Sequence, residues 1–146
     1  MSLGLSEMSA VTVSYMGELQ SQYTNLKCQL VQSQRDTNTK VSSETGQKSV
    51  FLTKSGAEIS ELQHKKTALH KQQVNSEDDK ASANLGVEME EIQNAIDDAK
   101  QAQSVTLGEY DQKIADTQTM GQEEQNMIQI QLEGIKSASS SIGNSK

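Results

Sequence analysis

Cys28, His64 and His70, with the run Asn75-Ser76-Glu77-Asp78-Asp79, are the residues of this chain whose types could carry catalysis or hold a metal. Their spacing argues against both. His64 and His70 stand six apart, about 600° around a helix, whereas two ligands on one helical face need three or four. Cys28 lies off the apolar stripe of its neighbours Leu26 and Leu30, and no basic partner in a recognisable motif accompanies it. The acidic run lacks the alternating Asp/Asn spacing and the turn glycine of a calcium loop. No phosphate-binding glycine loop, nucleophile elbow, zinc spacing or dinucleotide fingerprint occurs. The expectation is a protein without catalytic, metal or cofactor residues.

The acidic run reads instead as a helix start. Ser76 is placed to cap a new helix, with Asp79 three residues on as a shortened capping box, and Glu77 and Asp78 suit the positive end of the helix dipole. From Ser76 to about Ile142 an apolar rhythm follows. Leu85, Met89, Ile92, Ile96 and Ala99 recur at steps of four and three, and Leu107, Tyr110 and Ile114 resume the pattern after Gln103. It weakens through Thr117, Gly121 and Glu124, then returns at Ile128, Leu132, Ile135 and Ile142. One helix over this stretch would be roughly 90–100 Å long at 1.5 Å per residue.

Upstream, Met16, Leu19, Tyr23, Leu26 and Leu30 form a first seam over residues 1–35. Leu5, Met8, Val11 and Tyr15 extend it with a slip in phase. Residues 36–49 hold a single aliphatic residue, Val41, among polar ones, and read as a linker or a solvated helix. A second helix over 50–74 opens at Phe51 or Leu52 and continues through Ile59, Leu62 and Leu69 to Val74, with Ser55 and Lys66 at seam positions.

Composition agrees with helices and excludes several functions. With 33% apolar residues, 3% aromatic and no proline, the chain suits seams between long helices better than a large core. The fold class expected is all-α, an extended helical hairpin or coiled coil with a long C-terminal helix, forming one domain. A net charge of −7 argues against nucleic acid and anionic membranes. No run approaches the ~18 apolar residues of a membrane span, and no Sec-type leader pattern opens the sequence.

Charge also suggests how the helices pair. Residues 76–98 carry eight carboxylates against Lys80 alone, whereas the preceding helix carries Lys54, Lys65, Lys66 and Lys71 against Glu58 and Glu61. A fold-back near Asn75 would set basic against acidic, with Lys65 and Lys66 near Glu88, Glu90 and Glu91. Two separately solvated faces are the alternative. The polar seam positions Gln103, Thr117, Gly121 and Glu124 suggest a rod completed by other chains, since polar core residues specify register and oligomer state. Gly86, Gly108, Gly121 and Gly134 would mark bends or crowded contacts.

A Ser/Thr-rich, charge-poor start, no proline, one cysteine, an acidic chain and a long C-terminal helix ending Ile135-Lys136-Ser137-Ala138-Ser139-Ser140-Ser141-Ile142-Gly143 occur together here. In this the chain resembles the small helical proteins exported by bacterial type III secretion systems, the EspA-type filament and hydrophilic translocator proteins. The resemblance implies terminal helices that polymerise as a coiled coil outside the cell, and a secretion chaperone that holds the monomer. It assigns no role to an individual residue. The function expected is a non-enzymatic structural protein, a filament, tip or hydrophilic translocator component, with an intracellular coiled-coil adaptor or chaperone-like module as the alternative. Its partners would be further copies or other helical proteins, and it would be secreted without a Sec signal or remain in the cytoplasm.

Overall fold

The computed structural model describes the backbone from Ser2 to Asn144 and the side chains of residues 10–142. It contains two helices, α1 (Ser2–Val74) and α2 (Asp79–Asn144), packed against each other as an all-α hairpin. Among the described residues there is no strand. The side chains of Leu5 and Met8 lie outside the described residues.

The linker expected over 36–49 is helical throughout, so the two N-terminal helices are one. Nothing in those residues stops a helix: proline is absent, and Gly46, with a negative φ and open space around it, costs only ~1 kcal/mol. Their polarity is not a break: Thr37, Val41, Glu44 and Lys48 face the seam, and the residues between them face water. The tight connection falls at Asn75–Asp78. Backbone bonds from Asn75 N to Lys71 O and from Ser76 N to Gln73 O close the end of α1.

The start of α2 differs from the expected cap. The carboxylate of Asp78 accepts from Lys80 N at 3.1 Å and the Asp78 carbonyl accepts from Ser82 N at 2.9 Å, so Asp78 is the N-cap and the helix begins at Asp79. Ser76 sits outside it, its hydroxyl donating to the Asp78 carbonyl at 3.3 Å. A carboxylate two residues nearer the helix outcompetes the serine for the first free N–H groups.

The two helices divide into two compact units. One is Ser42–Ala115, which contains the turn. Here the seam of α1 runs Glu44, Lys48, Phe51, Ser55, Ile59, Leu62, Lys66, Leu69 and Gln73, and that of α2 runs Leu85, Met89, Ile92, Ile96, Ala99, Gln103, Leu107, Tyr110 and Ile114, every one buried or half-buried. Ile96, 2% exposed, and Ile59 are its most enclosed apolar residues. The other unit is Met1–Val41 with Asp116–Lys146. Its seams run Met16, Leu19, Tyr23, Leu26, Leu30, Ser33, Thr37 and Val41 against Thr117, Gly121, Gln125, Ile128, Leu132, Ile135 and Ile142, with Leu19 and Ile128 the most enclosed apolar residues.

Candidate functional site

Within Ser42–Ala115 the interhelical contacts define an antiparallel register. Lys48 Nζ donates to Asp111 Oδ1 at 2.5 Å, Phe51 meets Tyr110 with ring centroids 5.9 Å apart, Gln103 Nε2 donates to Ser55 Oγ at 2.7 Å, and Lys66 Nζ donates to Gln93 Oε1 at 2.5 Å. Near the turn, Gln73 Nε2 donates to the Ser82 carbonyl at 3.0 Å. The helices fold back antiparallel, but the basic and acidic residues expected to meet do not pair across the seam, where Lys66 finds the uncharged Gln93. Lys65 pairs at 3.7 Å with Glu61 of its own helix, and Glu88, Glu90 and Glu91 are exposed. Lys65 lies on the flank of α1, so its ammonium reaches one turn along its own helix more readily than across the seam.

The seam spacing explains why polar residues fall where they do. Phe51, Ser55 and Ile59 are spaced four and four, and so are Ala99, Gln103 and Leu107. With the step of three before them, two successive steps of four span eleven residues in three turns, 3.67 per turn, where a heptad seam has 3.5. On one helix alone this would carry the stripe away from its partner. Here the Gln103–Ser55 bond places both insertions at one level, so the seams turn together.

The unit of Met1–Val41 and Asp116–Lys146 shows the same device. Ser33, Thr37 and Val41 are spaced four and four, as are Thr117, Gly121 and Gln125. Thr37 faces Gly121, where a Cβ would stand 2.6 Å from Thr37 Cγ2, so only glycine admits the approach. Continuing antiparallel from this pair, equal rise sets Leu30 opposite Ile128, Leu26 opposite Leu132 and Tyr23 opposite Ile135. The N-terminal and C-terminal seams are thus each other's partners within the chain. The polar positions expected to need other chains find partners inside it: Gln103 in Ser55, Gly121 in Thr37. Glu124 is exposed, and Thr117 is half-buried with an interaction of its own.

Beside this level a cleft of about 440 Å³ is lined by Ser33, Asp36, Thr37, Thr39 and Lys40 of α1 and by Thr117, Met120, Gly121 and Glu124 of α2. Ser33 is 4% exposed and its hydroxyl has no hydrogen-bond partner. The small side chains at the paired insertion leave this space, and sequence spacing alone did not single out Ser33.

The residues with chemical potential are dispersed. His64 and His70 are exposed on α1, and among the described residues no three His, Cys, Asp or Glu side chains converge as a metal site. Cys28 is exposed in a shallow depression lined by α1 alone, between Tyr23 and Arg35. No helix of the described residues is long and apolar enough to cross a membrane.

The outer faces carry apolar residues as well. On α2, Met120, Met127 and Ile130 are 68%, 63% and 68% exposed. With Glu123, Gly134, Ser137 and Ser141, also exposed, they repeat at steps of three and four along a flank roughly 80–180° around the helix from Ile128. This second stripe is separate from the seam and escaped the sequence reading, which followed only the strongest rhythm. The four-and-three steps from Met120 to Ser141 were its available signal. No family model matches the chain, and comparison with curated proteins and with solved structures gives no match either.

Proposed function

We propose that this chain is a non-enzymatic structural protein that assembles or docks through its helical faces, a filament, tip or hydrophilic translocator component of the type III secretion kind. The observation that carries this reading is the surface left exposed. The chain presents 10804 Å², whereas a compact monomer of 15.9 kDa exposes about 7,400 Å². Two helices side by side bury one stripe each, and large apolar side chains such as Val50, Val105, Met127 and Ile130 stay in water. Burying that surface on other helical proteins, or on further copies, gains about 25 cal/mol per Å² of apolar area before the costs of association. A secretion chaperone is a partner of the same kind.

A second reading, an intracellular adaptor or chaperone-like module, draws on the partnered seam. Thr37 with Gly121 and Ser55 with Gln103 satisfy inside one chain what would otherwise ask for a neighbour. Two measurements separate the readings. Light scattering of the purified full chain across concentration reports assembly. The protein's presence in culture supernatant, with and without a functional export apparatus, reports secretion. Assembly together with apparatus-dependent release supports the first reading; a concentration-independent monomer retained in cells overturns it.

A further inference from the structure

We propose that the cleft beside Thr37 and Gly121 is a binding site for a short zwitterionic peptide, with Asp36 and Glu124 at its ammonium end and Lys40 at its carboxylate end. The proposal goes beyond the assembly reading and does not depend on it. The space exists because Gly121 has no side chain and the rest of the floor is small, Ser33, Thr37 and Thr117. At about 440 Å³ it falls within the roughly 300–1,000 Å³ of small-ligand sites.

Two features of the lining point to a ligand. The first is Ser33, which is 4% exposed and whose hydroxyl has no hydrogen-bond partner. A buried hydroxyl without a partner is costly, and a polar group seated in the cleft supplies the partner that neither helix does. The second feature is charge. Lys40 and Glu124 both line the cleft, yet among the described residues neither is in an ion pair or a hydrogen bond. Each stands three residues from the Thr37–Gly121 contact, on opposite sides of it because the helices are antiparallel, which sets their Cα levels about 9 Å apart. Asp36 lies on the Glu124 side of the contact. One of its carboxylate oxygens accepts from Gln32 Nε2 at 2.8 Å and the other is free.

The cleft therefore has an acidic end, with Ser33, Asp36 and Glu124, and a basic end, with Lys40. A ligand of one sign would leave the other end uncompensated, whereas a zwitterion of matching span satisfies both. An extended peptide of about three residues, at roughly 3.3–3.6 Å per residue, places its termini roughly 10 Å apart. Its ammonium donates to the two carboxylates and to Ser33 Oγ, and its carboxylate accepts from Lys40 Nζ. Met120 and the threonine methyls offer apolar contact to small side chains between the ends.

The test uses the full chain, with trialanine as the probe and its N-acetyl and C-amide forms as controls. Amide NMR should show saturable shifts confined to residues 33–40 and 117–124, with millimolar affinity. Acetylating the amine or amidating the carboxylate should each weaken binding by about two- to fivefold, the weight of one partly exposed ion pair. Lys40→Gln should weaken binding of trialanine but not of its amide, and Glu124→Gln should weaken binding of trialanine but not of its acetylated form. Ser33→Ala should weaken binding by roughly two- to tenfold, as one hydrogen bond, while the free protein melts no lower than the wild type. That combination separates contact with the ligand from a role in the fold. Shifts still linear at roughly 50 mM peptide mean non-specific contact and overturn the proposal. So do capped peptides that bind as tightly as the free one, or a Ser33→Ala chain that binds undiminished. None of these readouts is an oligomeric state, so they stand whether or not the chain assembles.

Discussion

Thr37 and Gly121 approach so closely that the Cβ of any other residue at 121 would stand 2.6 Å from the threonine Cγ2. This contact is where both helices step four and four, and the absence of a side chain on one helix admits the branched side chain of the other. Ordinary helix propensity therefore has the wrong sign here. Gly108→Ala and Gly46→Ala, with nothing within 4 Å of the added methyl, should each stabilise the fold by up to ~1 kcal/mol. Gly121→Ala should destabilise it by about 1–3 kcal/mol, and Thr37→Ser should relieve part of that loss. Urea unfolding of the four variants checks this. A stabilising Gly121→Ala would mean that the helices stand further apart at this level.

Ser55 and Gln103 form the corresponding pair in Ser42–Ala115, linked at 2.7 Å. Ser55→Ala alone strands the half-buried Gln103 amide and should cost about 1 kcal/mol, whereas Ser55→Ala with Gln103→Leu should be neutral or stabilising. The coupling is readable in a double-mutant cycle by thermal denaturation. Additive effects would show that the bond contributes nothing in water.

Ser33 poses the simpler case of a buried hydroxyl with no partner. Ser33→Ala removes a desolvated polar group from the edge of the cleft and should stabilise by roughly 0.5–1 kcal/mol. A loss of stability on the same scale would show that the hydroxyl is hydrogen-bonded in solution.

The extent to which the fold was legible follows from which rules are local. Steps of three and four between apolar residues identify Leu19, Ile59, Ile96 and Ile128 as seam residues, and these four are buried. The polar stretch 36–49 left linker and solvated helix both open, because polarity is equally the property of a loop and of a helix; only a breaker tells them apart, and the stretch is helical. The pairing of the two four-four insertions was out of reach. Each is visible on its own helix, but that Thr37 meets Gly121, and Ser55 meets Gln103, depends on where the turn sets the register. For the same reason Gln103 and Gly121 read as gaps to be filled from outside, although their partners lie within the chain.

Lys65 and Lys66 are neighbours in sequence with different surroundings. Lys66 is half-buried and donates to Gln93 across the seam, while Lys65 pairs with Glu61 at 3.7 Å with both side chains well exposed. Lys66→Ala should cost about 1–2 kcal/mol, with little dependence on salt because the partner is uncharged. Lys65→Ala should change stability by less than ~0.5 kcal/mol. Guanidinium carries its own salt, so urea melts at two sodium chloride concentrations are the appropriate measurement. Equal effects of the two substitutions would contradict the placement of Lys66 at the seam.

The turn offers a sharp distinction between two candidate caps. Asp78 accepts from Lys80 N through its carboxylate, whereas Ser76 donates to the Asp78 carbonyl at 3.3 Å and touches no helical N–H. Asp78→Ala should remove a cap and a favourable charge at the positive end of α2, costing about 1–2 kcal/mol. Asp78→Asn should recover most of the hydrogen-bond part and lose the charge part, so it should fall between the two. Ser76→Ala should cost no more than ~0.5 kcal/mol, as one marginal bond in an exposed turn. Amide hydrogen exchange reports the same difference locally: protection of Lys80–Asn84 should fall in Asp78→Ala before the rest of α2 is affected. If Ser76→Ala proves the more damaging substitution, the helix starts earlier than Asp79 and the turn is formed by Lys71–Asn75 instead.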